Sequence, residues 1–253
     1  MQWPRECAGL IIDPTLHLGG VRSGAMKDKK LVIFGQQNFA ELAHYYFKYD
    51  SRYSVHAFVV DAEYLREPTH DGLPVVTTAQ LPTEFPPDQY EVFVAIGIGQ
   101  VNRLRAAKLA ELGALGYTAA SYVSSKAIVA HGVEIRPNTM IMDQSVVQPK
   151  VCIGQNCILF PGSEIGYRAW LGEHCWLVAA TVAEAVRLGP YCFVGVQATI
   201  APGLSLGEGC IVGAGAVVLN DAGDHTVFRA ARGDQRTAPE RMRRTFGVRR
   251  TRS

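Results

Sequence analysis

Aliphatic residues recur at every sixth position through the second half of this chain: Val129, Ile135, Ile141, Val147, Ile153, Leu159, Ile165, Leu171 and Leu177, then Leu188, Val194, Ile200, Leu206, Val212 and Val218. The second series is out of phase with the first by one residue. A sustained hexapeptide period specifies a parallel β-helix, in which each hexad supplies a short strand to one face and stacked coils share one core. The cysteines test this independently. Cys157, Cys175, Cys192 and Cys210 each follow an anchor by four residues and are spaced 18, 17 and 18 apart, so three hexads close a coil and the coil after Cys175 is one residue short. Stacked strands lie ~4.8 Å apart, so the four thiols are expected in one interior column. Their position in the repeat otherwise takes small side chains, and a buried free Cys behaves as a small hydrophobe, which favours packing over a metal cluster. The shortened corner is expected within Val178-Ala179-Ala180-Thr181, because Val182 and Val186 restore the pattern leading into Leu188.

The first half follows a different rule. Leu31-Val32-Ile33-Phe34 is a continuous apolar run ending at Gly35, as a strand buried on both faces requires. A helix should follow, with Asn38 as N-cap, Glu41 as its capping-box partner and Phe39, Leu42, Ala43, Tyr46 and Phe47 on one face. Val55 to Val60 reads as a second strand ending at Asp61, Val92 to Ile96 as a later one, Asn102 to Leu115 as an amphipathic helix, and Thr118 to Val123 as a strand leading out. This alternation predicts a doubly wound, Rossmann-like α/β domain over 26–123. Ligands of such folds sit beyond the carboxyl ends of the strands, near helix N-termini that offer free N–H groups to phosphate. Gly35, Gln36, Asp61 and Gly97 are therefore candidates for substrate binding, with ordinary αβ turns and a surface Asp as the competing reading.

At 253 residues, 48% hydrophobic and 19% charged, the chain has material for two domains. Six Cys without a secretory pattern lead us to expect a reducing, cytoplasmic setting. No apolar run has the length to span a bilayer, and a net charge of +2 carries no nucleic-acid signature. Residues 1–25 lack periodicity and read as an extension, with Met26 the expected start. Residues 229–253 carry nine Arg against Asp234 and Glu240 and read as a solvated basic tail.

Five strings carry a resemblance: Leu31 to Gly35, Ala40-Glu41-Leu42-Ala43-His44-Tyr45-Tyr46, Ser121 to Ala127, Gln148-Pro149, and Gly213-Ala214-Gly215-Ala216-Val217-Val218. Together they resemble the sialic-acid O-acetyltransferase-like family of sugar acyltransferases, closest to its amino-sugar N-acetyltransferase branch, over about residues 26–228. The resemblance implies an α/β Rossmann-like domain that holds a nucleotide-linked sugar, followed by a left-handed parallel β-helix over 124–228. It also implies a homotrimer, with acetyl-CoA as co-substrate between neighbouring β-helices and no metal. Gly195, Gly213, Ala214 and Gly215 would line the acetyl-CoA.

The departures from that family fall where its chemistry lies. Tyr167, followed by Arg168, stands where members carry the general-base His. A second His, which contacts acetyl-CoA, belongs in the shortened coil, and Glu184 replaces a Gly that assists the thioester. The nucleotide loop has lost a Gly, and the terminal Gly-x-Pro-Ala reads Ala230-Ala231-Arg232-Gly233.

Acyl transfer needs a nucleophile freed of its proton, a donor for the oxyanion, and alignment of two substrates. A phenol is a poor base at neutral pH but a competent hydrogen-bond donor, and a neighbouring guanidinium holds phosphate or favours the phenolate. Exposed β-helix turns carry such residues as a matter of course. His174, on the neighbouring hexad, is expected to reach the same groove as an alternative base. His131, Glu164 and Glu184 are further candidates, each also natural on a surface. An amine acceptor eases the loss of the base, since its neutral form is already nucleophilic. The expected function is acyl-CoA-dependent transfer to an amino or hydroxy group of a nucleotide-linked sugar in surface-glycan biosynthesis. The alternative is a trimeric binding or scaffold protein that kept the fold without turnover.

Overall fold

The computed structural model describes residues 27–231, so the extension at 1–25, Met26 and nearly all of the basic tail lie outside the described residues. The first domain runs β1 (Lys29–Phe34), α1 (Asn38–Tyr49), β2 (Tyr53–Val60), β3 (Thr69–His70), β4 (Leu73–Thr77), α2 (Leu81–Glu84), β5 (Glu91–Val94) and α3 (Arg103–Ala114). Its sheet has the order β3-β4-β2-β1-β5, parallel throughout except for β3 against β4. The apolar run of β1 serves both faces: Leu31 and Ile33 pack with Phe39 and Phe47 of α1, whereas Val32 and Phe34 pack with Leu112 of α3. Asp71 and Gly72, both left-handed at φ 47 and 77, close β3 onto β4 as a two-residue hairpin turn. The start of α1 differs from expectation. Gln37 is the N-cap, Asn38 is already helical, and no side chain caps the helix. Its other end is held by Lys27, whose Nζ donates to the carbonyls of Phe47, Lys48 and Ser51 at 3.0, 2.8 and 2.6 Å, the sign of charge that the C-terminal dipole favours.

From Tyr122 onward the chain winds as a parallel β-helix of two-residue strands on three faces. The domain face stacks Tyr122–Val123, Met140–Ile141, Ile158–Leu159, Trp176–Leu177, Phe193–Val194, Ile211–Val212 and Val227–Phe228. The second face runs from Ile128–Val129 to Val217–Val218 and the third from Glu134–Ile135 to Ser205–Leu206. Tyr122–Val123, expected to end the first domain, pairs with Met140–Ile141 and opens the β-helix, while Ala119 stays bridged to Val92 of β5. Every hexad anchor is buried in one core. The thiols of Cys157, Cys175, Cys192 and Cys210 lie in the expected interior column, each donating to a glycine carbonyl of the next coil at 3.1 to 3.3 Å. Thr139 Oγ1 makes the same bond to Gly154 O at 3.1 Å one coil earlier. The short coil is resolved by register. Ile158–Leu159 pairs with Trp176–Leu177, and Glu164–Ile165 with Thr181–Val182, so the missing residue falls between Leu177 and Thr181, where Ala179 turns at φ 43.

The domain face points Met140, Ile158 and Trp176 outward into the core of the first domain. Phe39 of α1 meets Trp176 edge-on at 4.9 Å, and Phe160 lies 5.2 Å from the same indole. One face of the β-helix is thus covered by the α/β domain, and the other two are not covered by any element of the described chain.

Candidate active site

Gly35 with Gln36, Asp61 and Gly97 lie at the carboxyl ends of the adjacent strands β1, β2 and β5. The chain leaves β1 for β2 on one side and reaches β5 on the other, so the loops diverge and leave a crevice. Gly35 is obligatory there: its φ is +122, and a Cβ would stand 2.6 Å from Ala95 O. Beyond Gly97, three successive left-handed residues, Gln100, Val101 and Asn102, deliver the chain into α3, whose first-turn N–H groups have no partner within the helix. Asp61 is anchored in the crevice wall: its Oδ1 accepts from Lys108 Nζ at 2.8 Å and from Thr78 Oγ1 at 2.9 Å, which ties the wall to α3.

The β-helix edge between the third face and the domain face forms a buried polar seam. Asn138, Asn156, His174 and Tyr191 take its left-handed positions in successive coils. Asn138 Oδ1 accepts from Val94 N of β5 at 2.8 Å, and its Nδ2 donates to Asn156 Oδ1 at 2.7 Å. Arg105, fully buried, reaches across from α3: Nε donates to Asn156 Oδ1 at 2.8 Å, one terminal nitrogen to Asn156 O at 3.0 Å, and the other to Asn102 Oδ1 at 3.0 Å. The guanidinium also lies 5.0 Å from the Trp176 ring. All of these acceptors are neutral, and burial lowers the Arg105 pKa to about 10.

His174 belongs to this seam and not to a groove with Tyr167, which corrects the expectation that one groove holds both. It is 6% exposed and stacks on Tyr191 at 4.8 Å, with Arg103 over the far ring at 4.4 Å. Asn156 Nδ2 donates to its Nδ1 at 2.9 Å. Burial, and then the Arg105 charge, lower its pKa from 6.5 to about 4, so near neutral pH it is an uncharged packing group. Arg105 was missed in the sequence, although its spacing from Lys108 and Leu112 places an Arg in the buried stripe of α3.

The edge between the second and third faces is open. His131, Tyr167 and Glu184 occupy equivalent turn positions there in separate coils, all exposed. Coil stacking holds the backbone: Ala185 N donates to Tyr167 O at 2.8 Å and Arg168 N to Pro149 O at 3.3 Å. Arg168 and Lys150 lie 5.2 Å and 5.9 Å from the centroid of the Tyr167 ring, so two cations flank one exposed phenol ring. Glu164 lies nearby but on the second face, exposed and paired in register with Val146 and Thr181. Gly195, Gly213, Ala214 and Gly215 are on the remaining edge, between the domain and second faces. Stacking accounts for two of them: a Cβ on Gly195 would lie 2.8 Å from Ala214 N, and one on Gly213 would lie 3.0 Å from Phe228 O. The structure therefore brings the crevice candidates together and keeps Tyr167, His174 and the late glycines on three separate edges. Among the described residues no group of three or more His, Cys, Asp or Glu is placed to hold a metal ion, and no helix is long and apolar enough to cross a membrane.

The bacterial transferase hexapeptide family (six repeats) matches residues 185–220. A search of curated protein sequences finds no match. Among solved structures, the chain is similar to PerB from Caulobacter crescentus in complex with CoA and GDP-perosamine. The identity is 27%, covering 81% of this chain and 95% of that one with a TM-score of 0.70. The fold is shared with the acetyltransferase domain of PglB from Neisseria gonorrhoeae at 22% identity, 79% and 96% coverage and a TM-score of 0.71. WeeI from Acinetobacter baumannii shares it at 22% identity, 79% and 95% coverage and a TM-score of 0.59.

Proposed function

We propose that this protein transfers an acetyl group from coenzyme A to the amino group of a nucleotide-linked sugar. The reading is carried by the likeness, through both halves of the fold, to a protein whose structure holds CoA and GDP-perosamine together. On this reading the first domain is Rossmann-like and binds the nucleotide in the crevice of Gly35, Gln36 and Gly97, and the β-helix is left-handed. The amine nitrogen attacks the thioester carbonyl carbon, the C–S bond breaks, and the departing thiolate takes the proton that nitrogen loses, so no histidine base is required. Tyr167 donates its hydroxyl to the developing oxyanion, and Arg168 with Lys150 holds a substrate anion beside it.

The edge of Tyr167 and the edge of Gly195 and Gly213 lie on different corners of one β-helix, so a groove that draws on both takes them from two copies. A homotrimer supplies that arrangement. It is supported by the second face, where Ile128 is 68% and Val217 62% exposed and the outward row is β-branched apart from Glu164. The test is mass spectrometry after incubation with acetyl-CoA and nucleotide-linked amino sugars, GDP-perosamine among them. Gain of one acetyl group with release of free CoA is expected. Failure to acetylate any of them, in a protein that binds acetyl-CoA, would overturn the proposal.

A further inference from the structure

A second cleft lies on the last two turns of α1, away from the crevice at that helix's start. It is a half-open cleft of about 310 Å³ lined by His44, Tyr45, Lys48, Tyr49 and Asp71, at the small end of the roughly 300–1,000 Å³ typical of small-molecule sites. Tyr45 and Tyr49 are large aromatics left 59% and 63% exposed. One helical turn apart, they share a face, with ring centroids 5.0 Å apart and planes tilted by 52°. Of the rest of the lining, His44 is held in place by packing and Asp71 by the tight turn it sits in. His44 is 3% exposed, packs edge-on to Phe58 at 5.4 Å, and sets its Nδ1 2.6 Å from Asp71 Oδ2. Asp71 sits in the tight β3–β4 turn with its side chain 57% exposed, and Lys48 Nζ stands 5.3 Å over the Tyr49 ring.

This lining selects among ligands. A long apolar chain would strip water from Asp71 and Lys48 and return no hydrogen bond. A phosphate would meet a single ammonium, that of Lys48, together with the Asp71 carboxylate, and a second carboxylate, Glu41, stands one turn back on α1. An uncharged polyhydroxylated ring meets none of these penalties. Its C–H face lies on a phenol ring, while its rim hydroxyls donate to Asp71 and accept from Lys48 and the phenol O–H groups. We propose that this cleft is a saccharide-binding subsite, separate from the nucleotide crevice, that takes an uncharged pyranose unit.

Saturation-transfer NMR on the full chain, with methyl mannoside, maltotriose and chitotriose as probes, tests this. Transfer to at least one probe is expected at millimolar concentrations, with Tyr45→Ala and Tyr49→Ala each weakening binding by about fivefold. Both side chains are exposed, so the melting temperature should not move, and that measurement separates lost binding from lost fold. Absence of transfer to every probe at tens of millimolar would overturn the proposal. So would binding that survives in the Tyr45→Ala/Tyr49→Ala double variant, which would place the sugar elsewhere. A double variant that loses self-association by light scattering, from a wild type that binds no sugar, would assign the face to contacts between copies.

Discussion

The edge carrying Asn156, His174 and Tyr191 and the edge carrying Lys150, Tyr167 and Arg168 are made from the same six-residue turn, each with a left-handed residue at the same place in the repeat. On the first edge Asn156 and His174 are buried beneath α3 and joined to Arg105 and to each other, with the half-buried Tyr191 stacked on His174. On the second they face no element of the described chain and stay exposed to water. The repeat thus specifies a backbone, and the chemistry of a turn depends on what covers it. A histidine on the covered edge is packed away from water, whereas a phenol on the open edge is exposed and flanked by two cations.

Substitutions that treat the edges alike should separate them. The largest effect is expected from Arg105→Ala, which leaves Asn156 Oδ1 and Asn102 Oδ1 buried without this donor and opens a cavity, at about 3 kcal/mol. Arg168→Ala on the open edge should cost under about 0.5 kcal/mol, and urea denaturation of both variants checks the contrast. Next is Gly172→Ala on the covered edge, where a Cβ would stand 2.6 Å from Pro190 N, an overpacking cost of about 2 kcal/mol. Gly203→Ala on the open edge meets no atom within 4 Å and bears only its φ of +76, about 1 kcal/mol.

A smaller effect separates the edges by pH. The His174 pKa is lowered by folding, so between about 4 and 6.5 the unfolded chain binds more protons. Its contribution to stability is complete above 6.5 and lost as pH falls toward 4. Thermal melts across that window should show the slope, and His174→Asn, which repeats the residue at 138 and 156, should flatten it. The last contrast is catalytic. Tyr167→Phe should lower kcat about tenfold, ~1.4 kcal/mol, with an unchanged Tm, while His174→Asn leaves kcat within about twofold. An inverted result would return catalysis to the covered edge.

What could be read from the residues alone was local in origin. The hexad anchors, the thiol column and the five-residue step from Leu177 to Val182 are legible because each anchor enters the same core whatever else the chain does. Gly35 is legible for a related reason, since a strand ending in a crowded turn advertises its need for a residue without Cβ. The shared groove for Tyr167 and His174 was not decided by spacing. Neighbouring hexads occupy different edges, and adjacency along the chain says nothing of which edge is buried.

The sequence by itself determined the period, the number of hexads per coil, the position of the shortened corner and the strand–helix alternation of the first domain, because side-chain periodicity acts within and between successive turns. Tertiary structure alone decided that Asp61 is held by Lys108, 47 residues away, and that Asn156 receives Arg105 across 51 residues. It also decided that His174 is buried under Arg105 and beside Tyr191. These outcomes turn on which of three equivalent β-helix faces the first domain covers. That choice is made by the outward Met140, Ile158 and Trp176 meeting Phe39 and Phe93, a match between two surfaces that exists only once both have formed.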